Sequence, residues 1–109
     1  MTLNDPQFVE AARHVAQRMM KEGGQTPKER VEFGYRLVTS RKPRPMVARI
    51  LESAFNEEFE NYKKNPEAAG KILTVGDSKR DETLNAAEHA AWTIVASMLL
   101  NLDEVITRF

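Results

Sequence analysis

One stretch decides the fold of this 109-residue chain: Ala90-Ala91-Trp92-Thr93-Ile94-Val95-Ala96-Ser97-Met98-Leu99-Leu100-Asn101-Leu102. Its apolar residues recur at helical spacing on one side, and Trp92, Ala96 and Leu99 widen the stripe until most of the circumference is apolar. A helix of this kind belongs at the centre of a bundle. We therefore expect a central helix over about 86–104, with Asn85 as its cap and Glu88 three residues on.

Proline and cap residues divide the chain on the N-terminal side of this helix. Three cap-then-proline pairs mark helix starts: Asp5-Pro6, Thr26-Pro27 and Asn65-Pro66. The pair Gly23-Gly24 marks a helix end, and Lys42-Pro43-Arg44-Pro45 marks a rigid elbow. These signals predict four more helices: one that Gly23 stops, one ending near Ser40, one over about 46–64 and a short one from Pro66. The fold class is all-α, with four main helices and one short helix.

The apolar periodicity of each segment predicts which side chains form the core. We expect Trp92 and the methionines in the interior, with the indole N–H bonded to a backbone carbonyl or a loop residue. The predicted stripes are Phe8, Ala12, Val15, Ala16 and Met19 in the first helix; Val31, Tyr35 and Val38, with Phe33 and Leu37 beside them, in the second; and Val47, Ile50, Leu51, Ala54, Phe55, Phe59 and Tyr62 in the third.

Composition excludes several function classes. The chain is 41% hydrophobic and 29% charged, which is too apolar for a disordered tail and has room for one core. Sixteen Lys+Arg balance sixteen Asp+Glu, so no global charge attracts nucleic acid or anionic membrane. Cysteine is absent, which excludes disulfides, Cys-ligated zinc and covalent c-type haem on this chain. We expect no membrane insertion and no cofactor on this chain.

Catalytic and metal-binding patterns are weak. The two histidines are His14 and His89. Glu10 and His14 share a helix face, but no second cluster completes a metal site, so a surface ion pair or hydrogen bond is the simpler interpretation. No serine lies in a Gly-x-Ser-x-Gly motif, and the glycine spacing fits no phosphate-binding loop. These absences argue against an independent active site within the chain.

Two regions carry polar side chains suited to binding. The loop 74–83 lacks helical periodicity and includes Ser78, Arg80 and Asp81, which are candidate binding residues or simple solvated groups. Asn101 and Asp103 follow the apolar part of the last helix and must find polar partners, either in that loop or in a partner domain. An enzyme with a split active site, lined on one side by this loop, is the first alternative function.

Charges are segregated despite the zero total. Five cations occur with no acid between Phe33 and Leu51: Arg36, Arg41, Lys42, Arg44 and Arg49. Four acids then follow: Glu52, Glu57, Glu58 and Glu60. This basic 36–49 segment is suited to an acidic partner or phosphates, although cations also complement the dipole at a helix C-terminus. Nucleic-acid binding by a helix-turn-helix is the second alternative, but the double-proline turn and the zero net charge argue against it.

Three stretches resemble a known family: Asn4 to Arg13, Val75-Gly76-Asp77-Ser78 and, most specifically, Ala90 to Arg108. The family is the uncharacterised C-terminal domain of large planctomycete proteins that often carry a cytochrome-c-like domain near the N-terminus. The resemblance covers nearly the whole chain but only the last portion of that domain. The elbow 41–45 resembles a Gly-Arg-x-Pro-Thr-Pro-Glu-Glu-Leu segment of the family without its acidic pair.

The resemblance implies that residues 1–109 form a single helical domain closing the C-terminus of a larger exported or cell-envelope protein. Any haem would belong to another part of that polypeptide, and the family offers no catalytic residues to carry over. We therefore expect a non-catalytic structural or interaction module. Its partner would be the rest of the parent polypeptide or another protein, and its oligomeric state stays open.

Overall fold

The computed structural model describes residues 6–74 and 83–107, and the side chains of residues 7–74 and 83–101. Within these residues the chain forms five α-helices and no β-strand, which confirms the all-α prediction of four main helices and one short helix. The helices are α1 (Pro6–Glu22), α2 (Pro27–Thr39), α3 (Pro45–Lys64), α4 (Pro66–Leu73) and α5 (Ala86–Thr107).

Side-chain caps form the predicted helix starts. The Thr26 hydroxyl oxygen accepts from the Glu29 amide at 3.2 Å, and the Asn85 side chain accepts from the Glu88 amide at 2.9 Å. Asn65 caps α4 in the same way, although its 3.4 Å distance to the Ala68 amide is longer. Each cap satisfies one of the backbone N–H groups that a helix start leaves without a partner. The predicted cap Asp5 lies outside the described residues.

Left-handed backbone conformations follow the first two helices. Gly24 has a φ of 95°, which a residue without a Cβ adopts at little cost, and it turns the chain between α1 and α2. Ser40 has a φ of 62° and donates its backbone N–H to the Arg36 carbonyl at 2.8 Å. This left-handed cap ends α2 at Thr39.

Helix α5 lies at the centre, as its composition predicts. It contacts each of the other four helices. Trp92 is fully buried and stacks on Phe55 of α3, with ring centroids 4.0 Å apart and an interplanar angle of 16°. No hydrogen-bond acceptor for the buried indole N–H occurs in the part of the chain that the structure describes, so the predicted partner for this group is not found there.

Gly34 on α2 allows three helices to approach closely. A Cβ at this position would lie 2.7 Å from the Met19 sulfur on α1 and 3.0 Å from a Leu99 methyl on α5. The glycine is therefore a packing residue, which the apolar pattern of α2 did not indicate. In α1 the buried stripe includes Val9 and Met20, whereas Phe8 is only half-buried.

The core prediction is wrong at two positions of α3. Ile50 is 55% exposed and Met46 is 73% exposed, although both were expected in the interior. Leu51 and Phe55 define the buried side of this helix, and Ile50 lies about 100° around the axis from Leu51. Ile50 therefore faces away from α5. Leu37, at the edge of the predicted α2 stripe, is also 36% exposed.

Candidate functional site

The predicted site residues are only partly described. Ser78, Arg80 and Asp81 lie outside the described residues, as does the side chain of Asp103, whose backbone is in α5. Asn101 is half-buried on α5. A binding or catalytic role for the loop 74–83 therefore stays a prediction.

A buried polar cluster joins α1, α4 and α5. The Arg13 side chain is 1% exposed, and its Nη1 donates to the Leu73 carbonyl at 2.7 Å. His89 is fully buried, and its Nε2 lies 3.3 Å from the Arg13 carbonyl oxygen. Because a carbonyl oxygen only accepts, this contact requires the proton on Nε2. The cluster links the middle of α1 to the start of α5 and the end of α4.

Arg13 caps a helix to which it does not belong. Leu73 is the last residue of α4, and its carbonyl is one of those that a helix end leaves without a partner. The cation also lies at the negative end of the α4 dipole. Glu10 approaches Arg13 at 3.8 Å, and both residues make further interactions. Arg13 therefore fixes the point at which the chain leaves α4.

Two buried hydroxyl groups of α5 form hydrogen bonds within their own helix. The Thr93 hydroxyl donates to the His89 carbonyl at 2.8 Å, and the Ser97 hydroxyl donates to the Ile94 carbonyl at 2.6 Å. Hydroxyls held in this way are structural, because a nucleophile needs an adjacent base. Over residues 7–74 and 83–101, no group of three His, Asp or Glu side chains is placed to hold a metal ion.

Sequence reasoning missed Arg13 and His89 as buried residues, although a signal was present for each. Arg13 lies four residues after Val9 and three before Ala16, which places it on the apolar side of α1. His89 opens the uncharged run that forms the central helix. Helical position indicates burial for both, whereas residue type suggests the surface.

A second candidate is a groove of about 400 Å³ between the end of α3, α4 and the start of α5. Burial, and secondarily the Glu58 charge, raises the pKa of the half-buried Tyr62 at its wall. The other polar lining groups already have partners: Lys63 pairs with Glu60 at 2.9 Å, and Asn85 caps α5. The groove therefore offers few polar groups to orient a small ligand.

The third candidate is the outer α3 face, which we define as Met46, Arg49, Ile50, Ser53 and Glu57. All five side chains are exposed, and the last four line a shallow depression of about 390 Å³ together with Ala54. Neither Arg49 nor Glu57 forms an ion pair within the described residues. This face therefore combines exposed apolar side chains with two charges that form no ion pair with a described side chain.

The elbow beside this face is strongly basic. Four further cations are exposed and form no ion pair among the described side chains: Arg36, Arg41, Lys42 and Arg44. Arg44 is also the N-cap residue of α3, where no side-chain cap forms and the first turn carries no acid. Cations at a helix N-terminus are unfavourable with respect to the dipole. The helix dipole therefore accounts for Arg36 at the end of α2 but not for the cations at the start of α3.

Membrane insertion and similarity to known proteins are two further sources of evidence on function. None of the described helices is both long and apolar enough to cross a bilayer. No family model, curated protein or solved structure matches the chain. The resemblance to the planctomycete C-terminal domain therefore stays a prediction.

Proposed function

We propose that this chain is a non-catalytic helical interaction module that contacts another protein surface through the outer α3 face. One observation carries the proposal: Met46 and Ile50 lie one helical turn apart on α3 and are 73% and 55% exposed. Most other large apolar side chains among the described residues are buried or half-buried. An adjacent apolar pair on an otherwise polar helix face suits a protein contact.

The composition of the face supports a protein partner. Burying a Met or Ile side chain contributes about 1.5–3 kcal/mol each, which is a large share of the binding free energy of a modest interface. Arginine and methionine are enriched at interfaces, and a polar rim surrounds the apolar centre of an interface. Arg49 takes this rim position beside Ile50, and the basic elbow continues the charged rim.

The family resemblance adds a cellular setting to the proposal. In that setting the module closes the C-terminus of a larger exported polypeptide that carries a cytochrome-c-like domain elsewhere. The surface in contact with the outer α3 face then belongs to the preceding part of that polypeptide or to another protein. No chemistry on this chain is required in either case.

Methionine oxidation tests this proposal directly. Dilute peroxide oxidises exposed methionine, and peptide mass spectrometry reads each site separately. Met46 should be oxidised rapidly in the isolated chain at low concentration. In the longer native polypeptide, or in its complex, oxidation of Met46 should slow by about tenfold, because the rate follows exposure.

Two other methionines provide the internal control. Met19 and Met20 are buried, so they should stay reduced in both samples and would report any unfolding. Equal oxidation rates for Met46 in the isolated chain at low concentration, in the native polypeptide and in its complex would refute the proposal. Protection of Met46 while Met19 and Met20 stay reduced would support it.

A further inference from the structure

The outer α3 face is self-complementary in charge. Arg49 lies four residues before Ser53, and Glu57 lies four residues after it. The two charges are therefore equally far from Ser53, about 6 Å along the axis in opposite directions. If two copies of α3 lie antiparallel and cross at Ser53, each Arg49 meets the other copy's Glu57. A two-fold axis makes this contact twice.

The centre of the face permits such a crossing. Ser53 is small and exposed, so two helix backbones can approach closely there. Ile50 lies one turn away on the same face, and its apolar side chain would lose contact with water on both sides of the axis. A parallel arrangement would instead place Arg49 beside Arg49 and Glu57 beside Glu57, which like-charge repulsion disfavours.

The charges farther along the helix are compatible with this register. Met46 would lie opposite Glu60, whose carboxylate is already paired with Lys63 at 2.9 Å. Lys64, the last residue of α3, is eleven residues from Ser53, and crossing helices diverge before that point. Arg49 in the first half of α3 and Glu57 in the second half thus complement each other between two copies.

We infer that the partner of the outer α3 face is a second copy of this chain, held as an antiparallel α3–α3 pair about Ser53. This inference rests on the proposed function, because it names the occupant of the same face. One pair of helix faces buries less than the roughly 800 Å² per partner of a standard interface. The dimer is therefore weak, with a Kd of about 100 µM, and it loosens as salt screens the charges.

A single-cysteine variant tests the geometry, because the natural chain has no cysteine. Ser53→Cys places two thiols at the two-fold axis. There the two Cα atoms come close to the separation of roughly 4.4–6.8 Å that a disulfide requires. Mild oxidation at 100 µM protein, roughly the expected Kd, should give a covalent dimer of Ser53→Cys. Lys28→Cys, an exposed position on α2, should form at least about tenfold less dimer under the same conditions.

Charge reversal tests the register. Arg49→Glu and Glu57→Arg should each weaken self-association by about tenfold, measured by sedimentation equilibrium, because each converts two attractions into repulsions. An equimolar mixture of the two variants should associate at least as well as the natural chain, since the mixed pair regains both opposite-charge contacts. Lys28→Glu changes the net charge as Arg49→Glu does and should leave association unchanged.

Two results would overturn the inference. One is a chain that stays monomeric at millimolar concentration. The other is self-association that neither Arg49→Glu nor Glu57→Arg weakens, together with no covalent dimer of Ser53→Cys. Either result combined with protection of Met46 in the native polypeptide would keep the proposed function and assign the face to a different protein. Dimerisation of the isolated chain that leaves Met46 oxidised at the same rate above and below the Kd would place the contact elsewhere and would refute the proposed function.

Discussion

Two regions of the molecule depart from the usual distribution of polar and apolar side chains in opposite directions. The α1–α5 interface buries a charged Arg13 and a histidine, His89. The outer α3 face exposes Met46 and Ile50. The buried polar groups have partners inside the chain, such as the Leu73 carbonyl for Arg13. The exposed apolar side chains have none that the structure describes.

This contrast separates a structural from a functional reason for an unusual residue. A buried cation with a hydrogen-bonded partner stabilises the particular arrangement of α1, α4 and α5, and its removal should be measurable as lost stability. An exposed apolar pair contributes little to the fold, so its removal should leave stability unchanged and affect association. We therefore expect a large loss in the free energy of unfolding when buried groups are removed and almost none when the exposed pair is removed.

Truncation of Trp92 should have the largest effect. Trp92→Ala removes the stack on Phe55 and leaves a large cavity, so the free energy of unfolding in urea should fall by about 3–5 kcal/mol. Trp92→Phe keeps an aromatic ring and removes an N–H group that has no acceptor among the described residues. The free energy of unfolding should therefore fall by less than about 2 kcal/mol. Equal losses for the two variants would show that the indole N–H matters more than the packing.

Loss of Arg13 should come next. Arg13→Ala leaves the Leu73 carbonyl without its donor and should lower the free energy of unfolding by about 2–4 kcal/mol. Arg13→Met retains most of the volume without the charge and should recover part of that loss. The control is Arg18→Ala, which removes an exposed α1 arginine paired with Glu22 and should lower the free energy of unfolding far less than Arg13→Ala does. A loss for Arg13→Ala no larger than that of Arg18→Ala contradicts the anchoring role.

The two helical glycines Gly34 and Gly70 should respond in opposite directions. Gly34→Val introduces methyl groups where even a Cβ lies 2.7 Å from the Met19 sulfur, so stability should fall by about 1–3 kcal/mol. Gly70→Ala meets nothing within 4 Å and improves helix propensity in α4, so stability should rise by about 0.5–1 kcal/mol. Thermal melts of both variants against the natural chain measure the difference. The same sign for both changes would argue against the close approach at Gly34.

The smallest stability effect should come from the outer α3 face. Ile50→Glu should change the free energy of unfolding by less than about 0.5 kcal/mol, because the side chain is already 55% exposed. The same substitution in a Ser53→Cys background should abolish disulfide-trapped dimer. A large loss of stability would mean that Ile50 supports the fold, and the functional interpretation of this face would then be wrong.

The fold could be predicted from local signals because helices depend on local sequence. The caps Thr26 and Asn85 satisfy backbone groups three residues away, and the apolar circumference of α5 requires a central position whatever surrounds it. The exposure of Ile50 could not be predicted in this way. A periodic stripe indicates which side of a helix is apolar. How much of that side is buried depends on how many other helices pack against it.

Sequence by itself determined the all-α class, the helix starts and the central place of α5, since each follows from residues within a few positions of one another. Only the tertiary structure decided that Arg13 caps α4 and that Met46 and Ile50 stay uncovered. Arg13 and the Leu73 carbonyl are sixty residues apart along the chain. Contacts of that kind depend on the directions in which whole helices face, and no local pattern encodes those directions.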